Sequence, residues 1–420
     1  MKKEQMSLET RGFVWNTLAG LINAAEAVVI LMVVTRTCEI EDAGIITIAF
    51  SVGNLTMTIG KYGMRNFQVT DIQNRCSLND YFTSRIITVF LMFIAVIAYL
   101  IYATGGLDYS LRKSMIVFLI CAIYMVEALE DVFCGNYQKQ GRLDYAGQVF
   151  AYRWLLQLLV IICLLFMKVD IVWSLLTAFC LGTVFTIIFN IIKFPFYSEQ
   201  KLAFSLHNTK FLLKCCFPLF LTGFLSNYIT NSPKYAIDAM LGEQEQAYYG
   251  FIAMPVFVIA LFSNFFYQPV LVNLAAFWQE RKITDMKRLI WQQMFLIVIL
   301  TLICLGGAYF LGIPVLSRLF NADLTDYKNS LLIMLLGGGF LAYDALLMVI
   351  MTTMRIQQQA IYVYCIIAAT AFVFSRKIIC EYGISGAAWL YTFLELILSV
   401  VLLLITWFKL QKTSKLFQLQ

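Results

Sequence analysis

Polar residues recur at helical spacing inside segments that are otherwise apolar. Along residues 43–64 and one residue beyond, Ser51, Asn54, Thr58, Lys61 and Arg65 follow at intervals of 3, 4, 3 and 4. That spacing predicts one continuous helix face ending in two cations. Along residues 12–35, Gly12, Asn16, Ala19, Asn23 and Glu26 follow at intervals of 4, 3, 4 and 3, a small or polar face that reaches a carboxylate. Along residues 212–232 and just past them, Asn227, Asn231, Lys234 and Asp238 are spaced 4, 3 and 4. This third stripe ends in a cation and an anion four apart, and Pro233 predicts a bend or an end nearby. The segment 246–267 and its edge add Asn264 and Gln268. Ionisable groups in a bilayer core are costly and usually face a partner or a water-filled cavity. The stripes therefore predict a hydrated path between two lobes, lined by the first, second, seventh and eighth spans. The competing reading is interhelical hydrogen bonding, worth only ~0.6–2 kcal/mol per bond. Such bonding does not require unbroken stripes with charges.

Other ionisable groups stand apart from these faces. Glu127, Glu130 and Asp131 form an acidic row, and Lys139, Arg142 and Arg153 are near enough in sequence to pair with it as an ionic latch. Asp344 follows the run Gly337-Gly338-Gly339, which predicts close helix packing, and Glu395 lies in the last apolar segment. Each is a candidate coupling-ion site. The single histidine, His207, is expected as a solvated loop residue, which leaves no His-based metal site or Ser-His-Asp triad. The 11 cysteines lie mostly in apolar runs without a CxxC pair, so neither a disulfide framework nor a metal knuckle is indicated.

The elements that must position these residues are membrane helices. Of the 420 residues 61% are hydrophobic and only 13% charged, with a mean hydropathy of +0.78. A soluble chain is typically ~45–50% apolar and ~25% charged, so a soluble enzyme is excluded. Apolar runs of membrane-crossing length fall at 12–35, 43–64, 85–103, 114–136, 149–168, 171–192, 212–232, 246–267, 289–312, 329–354, 358–375 and 382–408. The expected fold is thus an all-α polytopic membrane protein of about twelve transmembrane helices. With the N-terminus in the cytoplasm, 22 of the 31 Lys and Arg residues fall on the cytoplasmic side. That bias predicts cytoplasmic N- and C-termini. The charged N-terminal stretch runs into a long apolar segment, which reads as a retained first helix. The net charge of +6 then follows from topology and gives no reason to expect nucleic acid.

Two acidic clusters expose a repeat. Residues 21–50 align with 225–254 at a constant offset of 204, with Leu21/Leu225, Asn23/Asn227, Glu39/Glu243, Glu41/Glu245, Ala43/Ala247, Ile48/Ile252 and Ala49/Ala253 identical. Six helices separate the copies, so the second returns with the same orientation. The expectation is two six-helix lobes, 1–200 and 201–420, related by a parallel pseudo-two-fold repeat, as in many transporters.

The absences narrow the function. No loop is long enough for the catalytic residues of a membrane glycosyltransferase, no Walker A sequence occurs, and no TVGYG-like filter is present. Neither an enzyme nor a bound cofactor is expected. A secondary transporter or flippase remains.

The stretch from Asn227 to Asp238, NYITNSPKYAID, followed by QAYYGFIAMP over Gln246–Pro255, resembles the seventh and eighth helices of Wzx-type polysaccharide flippases. The segment KYGMRNFQVTD over Lys61–Asp71 resembles the end of their second helix. These flippases belong to the multidrug/oligosaccharidyl-lipid/polysaccharide (MOP) superfamily, with the MATE exporters. The resemblance implies a MOP/MATE-like fold in a bacterial plasma (inner) membrane. It implies transfer of an isoprenoid-diphosphate-linked oligosaccharide from the cytoplasmic to the outer leaflet by alternating access, for capsule, O-antigen or exopolysaccharide. A polysaccharide polymerase would be the partner. On that reading Lys61 and Arg65 meet the diphosphate at the inner mouth, Arg36 and Lys234 at the outer. Asn23, Asn54, Asn227 and Asn231 hydrogen-bond sugars. Glu26, Asp238 or Asp344 binds the coupling ion, H+ or Na+. The alternative is a MATE-type cation-coupled multidrug exporter, which would want an acidic, aromatic-lined cavity without surplus Lys and Arg.

Overall fold

The computed structural model describes residues 2–71, 75–193, 206–267 and 270–418. Among these residues there is no strand. The helices are α1 (Lys2–Thr37), α2 (Ile40–Lys61), α3 (Met64–Thr70), α4 (Leu78–Gly106), α5 (Leu111–Lys139), α6 (Leu143–Phe166), α7 (Ile171–Lys193), α8 (Leu206–Met240), α9 (Glu243–Tyr267), α10 (Leu271–Gln279), α11 (Ile283–Gly307), α12 (Ile313–Phe320), α13 (Lys328–Thr353) and α14 (Gln357–Gln418). Nine helical stretches among the described residues are long and apolar enough to cross a membrane. The helix α5 is as long but carries five charges between Arg112 and Asp131, and α9 has 25 residues. Gly383, with φ 57° and ψ −141°, divides α14 into two. The sequence-derived spans thus each have a helix, and the segments 358–375 and 382–408 are the two arms of α14.

The shift of 204 residues carries the ends of α1 and α2 (2, 37, 40 and 61) onto 206, 241, 244 and 265. The helices there, α8 and α9, run 206–240 and 243–267. The acidic clusters open α2 and α9, where carboxylates favour a helix N-terminus.

The chain packs as two compact units, Met1–Phe224 and Leu225–Gln420. The division falls inside α8, whereas the sequence reading places it at residue 200. The reason is local packing. Leu212 of α8 is buried in a cluster with Cys76, Tyr81 and Val132, and Phe220 stacks on Tyr62 at 4.4 Å. The helix also runs through Pro233 to Met240, so that proline does not end it. A helix in a membrane protein tolerates an internal proline where neighbouring groups re-satisfy the freed carbonyl. His207 sits exposed in the first turn of α8, not in a loop.

In the first unit α5 packs against α2, α4, α6 and α7, while α1 packs on α6. In the second, α13 packs against α9, α11 and α14. The glycine run makes that approach possible. A Cβ on Gly337 would meet the Tyr391 ring at 2.6 Å, on Gly338 Val256 at 2.9 Å, and on Gly339 Thr301 at 2.7 Å. Each glycine admits a different neighbouring helix. Large apolar side chains such as Phe90, Ile101, Phe166, Phe295 and Phe310 stay exposed, as lipid-facing surfaces require.

Short connections fix the helix ends. Ser77 and Asp80 form a reciprocal capping box that starts α4. Tyr62 and Gly63 are both left-handed, at φ 49° and 65°, and break the chain between α2 and α3. Beyond α3, Asp71 accepts from the amides of Arg75 and Cys76 at 3.1 Å each and from the Tyr81 hydroxyl at 3.2 Å. Burial pushes the Asp71 carboxyl up, but these three donors outweigh it and hold the group below the usual aspartate value.

Candidate functional site

The break at Tyr62–Gly63 splits the second-span stripe. Ser51, Asn54 and Thr58 lie on α2 and donate to their own helix, at Thr47 O (3.0 Å), Phe50 O (2.9 Å) and Leu55 O (2.6 Å). Lys61 ends α2 and Arg65 belongs to α3, so the face is not one continuous helix surface. Helix termination by two left-handed residues is the cause, and only Gly63 signals it in the sequence.

Both cations are drawn to the acidic row on α5. Lys61 Nζ donates to Glu127 Oε1 at 2.8 Å. Arg65 Nη1 lies 3.4 Å from Asp131 Oδ1, and its Nε and Nη2 donate to Gln138 Oε1 at 3.2 and 3.0 Å. Two further guanidinium groups, fully buried, complete the network. Arg153 Nη2 reaches Glu127 Oε2 at 3.0 Å and its Nε reaches Glu130 Oε2 at 2.8 Å. Arg85 Nη2 reaches Asp131 Oδ2 at 2.8 Å and its Nη1 donates to the Gly60 carbonyl at 2.8 Å. Trp154 Nε1 adds a hydrogen bond to Glu127 Oε2 at 3.0 Å. Of the latch cations read from sequence, Arg153 makes the contact. Arg142 instead forks onto Asp144 with two bonds of 2.9 Å. Sequence spacing does not reveal the contribution of α2, α3 and α4, because Lys61, Arg65 and Arg85 lie 46 to 66 residues from their acids.

Glu26 of α1 is buried and accepts from the Tyr124 hydroxyl at 3.0 Å, while its Oε2 has no partner among the described residues. Asn23 is exposed on the same helix. Arg36, also exposed, donates to Met32 O of its own helix at 2.9 Å.

In the second unit Asn231 Nδ2 donates to the backbone and side-chain oxygens of Asn227 at 3.0 and 3.1 Å, forming a ladder along α8. Lys234 and Asp238 are half-buried one and two turns on. The Asn264 side chain and Gln268 lie outside the described residues. Asp344 and Glu395, from α13 and α14, are brought side by side within hydrogen-bonding reach. Ser399 donates to Asp344 Oδ1 at 2.7 Å and Thr230 to Glu395 Oε1 at 2.8 Å. Among the described residues no cluster of His, Cys, Asp and Glu has the size to hold a transition metal.

A chain built of membrane-length helices, in two units each with buried charge, has the fold of the MOP-superfamily transporters. It is similar to an inward-facing multidrug resistance MATE family transporter of that superfamily, with a TM-score of 0.71 and 12% identity over 94% of this chain and 96% of that one. It is also similar to the lipid II flippase MurJ in its inward closed conformation, with a TM-score of 0.69 and 16% identity over 96% and 90%. A MOP-superfamily transporter from Pyrococcus furiosus, described as having a binding pocket of reversed polarity, matches with a TM-score of 0.54 and 13% identity over 98% and 96%. These identities carry the fold alone. No curated protein matches the sequence. The chain belongs to the polysaccharide biosynthesis protein family, which matches residues 10–274. The segments Lys61–Asp71 and Asn227–Pro255 both fall within that match.

Proposed function

We propose that this protein is a flippase that moves an isoprenoid-diphosphate-linked oligosaccharide from the cytoplasmic to the outer leaflet of a bacterial plasma membrane by alternating access. Its family supports a role in polysaccharide assembly. The observation that carries the substrate class is the pair Lys61 and Arg65, whose side chains are 33% and 32% exposed within an otherwise buried network. Arg and Lys are the natural partners of a diphosphate. Asn23, Asn54, Asn227 and Asn231 take sugar hydroxyls, and Arg36 and Lys234 receive the head group on the outer side. Three cations along the polar faces, Lys61, Arg65 and Lys234, speak against an organic cation as cargo.

The coupling ion, H+ or Na+, binds at Asp344 together with Glu395. Two carboxyl groups side by side inside the helix packing, each held by a hydroxyl donor from a neighbouring residue, offer oxygens between which a proton or cation can sit. Glu26 is a second such position, through its orphan oxygen, and Asp238 a third. A polysaccharide polymerase consumes the delivered repeat unit, and both termini face the cytoplasm.

The test is made in cells. Membranes lacking the protein should hold the lipid-linked oligosaccharide where a membrane-impermeant glycosidase added outside cannot cut it. The parent gene should restore cutting, and Lys61→Gln with Arg65→Gln should not. Full cutting in the absence of the protein would contradict the proposal.

A further inference from the structure

Glu127 and Asp131 stand one turn apart on α5, and each holds two cations of unequal exposure. Glu127 pairs with Arg153, which is fully buried, and with Lys61, which is one-third exposed. Asp131 pairs with Arg85, fully buried, and with Arg65, one-third exposed. The two carboxylates are buried. Lys61 uses one of its three N–H donors on Glu127, so donors remain for an anion approaching its open side.

Stripping a buried carboxylate of its cation is normally prohibitive. This arrangement avoids that. When Lys61 turns to an anion, Glu127 keeps Arg153 and the Trp154 indole N–H. When Arg65 turns, Asp131 keeps Arg85, itself tied to the Gly60 carbonyl. The buried cations are fixed and the exposed ones exchangeable.

We propose that Glu127 and Asp131 are positioning residues that compete with the cargo's phosphates for Lys61 and Arg65, and so keep the diphosphate from being held too tightly to leave. The inference rests on the reading of Lys61 and Arg65 as the diphosphate contacts. A carrier needs a site strong enough to load and weak enough to empty. Neutralising either acid frees a cation, so binding tightens while release slows. A purely structural salt bridge gives no such opposed change.

The test uses the full chain, with calorimetric binding of farnesyl diphosphate in detergent and flipping of a lipid-linked oligosaccharide in liposomes. Glu127→Gln and Asp131→Asn are expected to lower the Kd by about tenfold, the weight of one charge-assisted hydrogen bond. Each should also lower the maximal flipping rate. Lys61→Gln should raise the Kd, and Glu127→Asp should stay nearer the parent than Glu127→Gln. Unchanged or weaker binding in both neutral variants would overturn the inference, as would a parent that binds no diphosphate. A parent that flips cargo while those variants leave Kd and rate unchanged overturns the inference and leaves the flippase reading standing. A parent that binds farnesyl diphosphate with the stated shifts but flips nothing supports the inference and removes the flippase reading.

Discussion

Replacing Arg153 by Gln separates the architecture of the charge network from its use. The Arg153 guanidinium is fully buried and donates to Glu130 at 2.8 Å, Glu127 at 3.0 Å and Gln157 at 3.1 Å. Among the described residues its loss leaves Glu130 with a 3.4 Å contact to Thr186, in an interior that cannot solvate a carboxylate. Breaking a buried pair in this way costs about 3–5 kcal/mol. Lys61→Gln should behave differently. Lys61 is one-third exposed, and Glu127 keeps Arg153 and Trp154, so the loss is that of one hydrogen bond to a charged group, about 1.5 kcal/mol. Thermal unfolding of purified protein in detergent, followed by size-exclusion survival, reads both. Arg153→Gln should unfold well below Lys61→Gln, while Lys61→Gln keeps its fold and loses transport. Adding Glu130→Gln to Arg153→Gln should restore part of the stability, because the stranded charge is gone. A double variant no more stable than Arg153→Gln would refute the reasoning, as would a Lys61→Gln protein equally unstable.

Three further outcomes follow from the geometry. Because Asp71 is held below the usual aspartate value, its contribution to stability is present above the unfolded value near pH 4 and is lost as pH falls through the folded one. Asp71→Asn should thus lower thermal stability at pH 6 by about 1–3 kcal/mol and flatten the acid limb of a stability–pH curve below pH 4. Gly337→Leu should fail to accumulate in membranes, because even a methyl meets the Tyr391 ring at 2.6 Å, and overpacking costs about 1–3 kcal/mol per site or more; immunoblotting of membrane fractions reads it. Asp344→Asn should abolish the dependence of flipping on a pH or sodium gradient while leaving cargo binding at the parental Kd, measured in gradient-loaded liposomes; retained gradient dependence would place the coupling ion elsewhere.

Much of the helical layout was legible because lipid solvation writes it directly into hydropathy. Spans such as 171–192 and 329–354 match α7 and α13 almost residue for residue. The glycine run was legible too, since three adjacent glycines in a helix have few uses other than close approach. The site was legible as residue types, not as partnerships. Lys61, Arg65 and the acidic row each stood out, but side chains 66 residues apart pair only once α2, α3 and α5 are packed. The same holds for Asp344 and Glu395, which meet only when α13 lies against α14. Helical spacing overstated continuity in one place. The left-handed Tyr62 carries no sequence mark, and it moves Arg65 off the face that the 3, 4, 3, 4 spacing drew. Asn54 and Thr58 then satisfy their own backbone, a use that spacing alone does not separate from lining a cavity.

The proposed cargo is a lipid-linked diphosphate sugar, carried across a bilayer. Purified protein in liposomes, with a fluorescent isoprenoid-diphosphate oligosaccharide placed in one leaflet, tests it most directly. The expected result is transfer to the other leaflet at a rate above protein-free liposomes, reduced when Lys61 and Arg65 are changed to Gln. Absence of transfer, with gradient-driven movement of an organic cation in its place, would contradict the account and assign the chain to drug export.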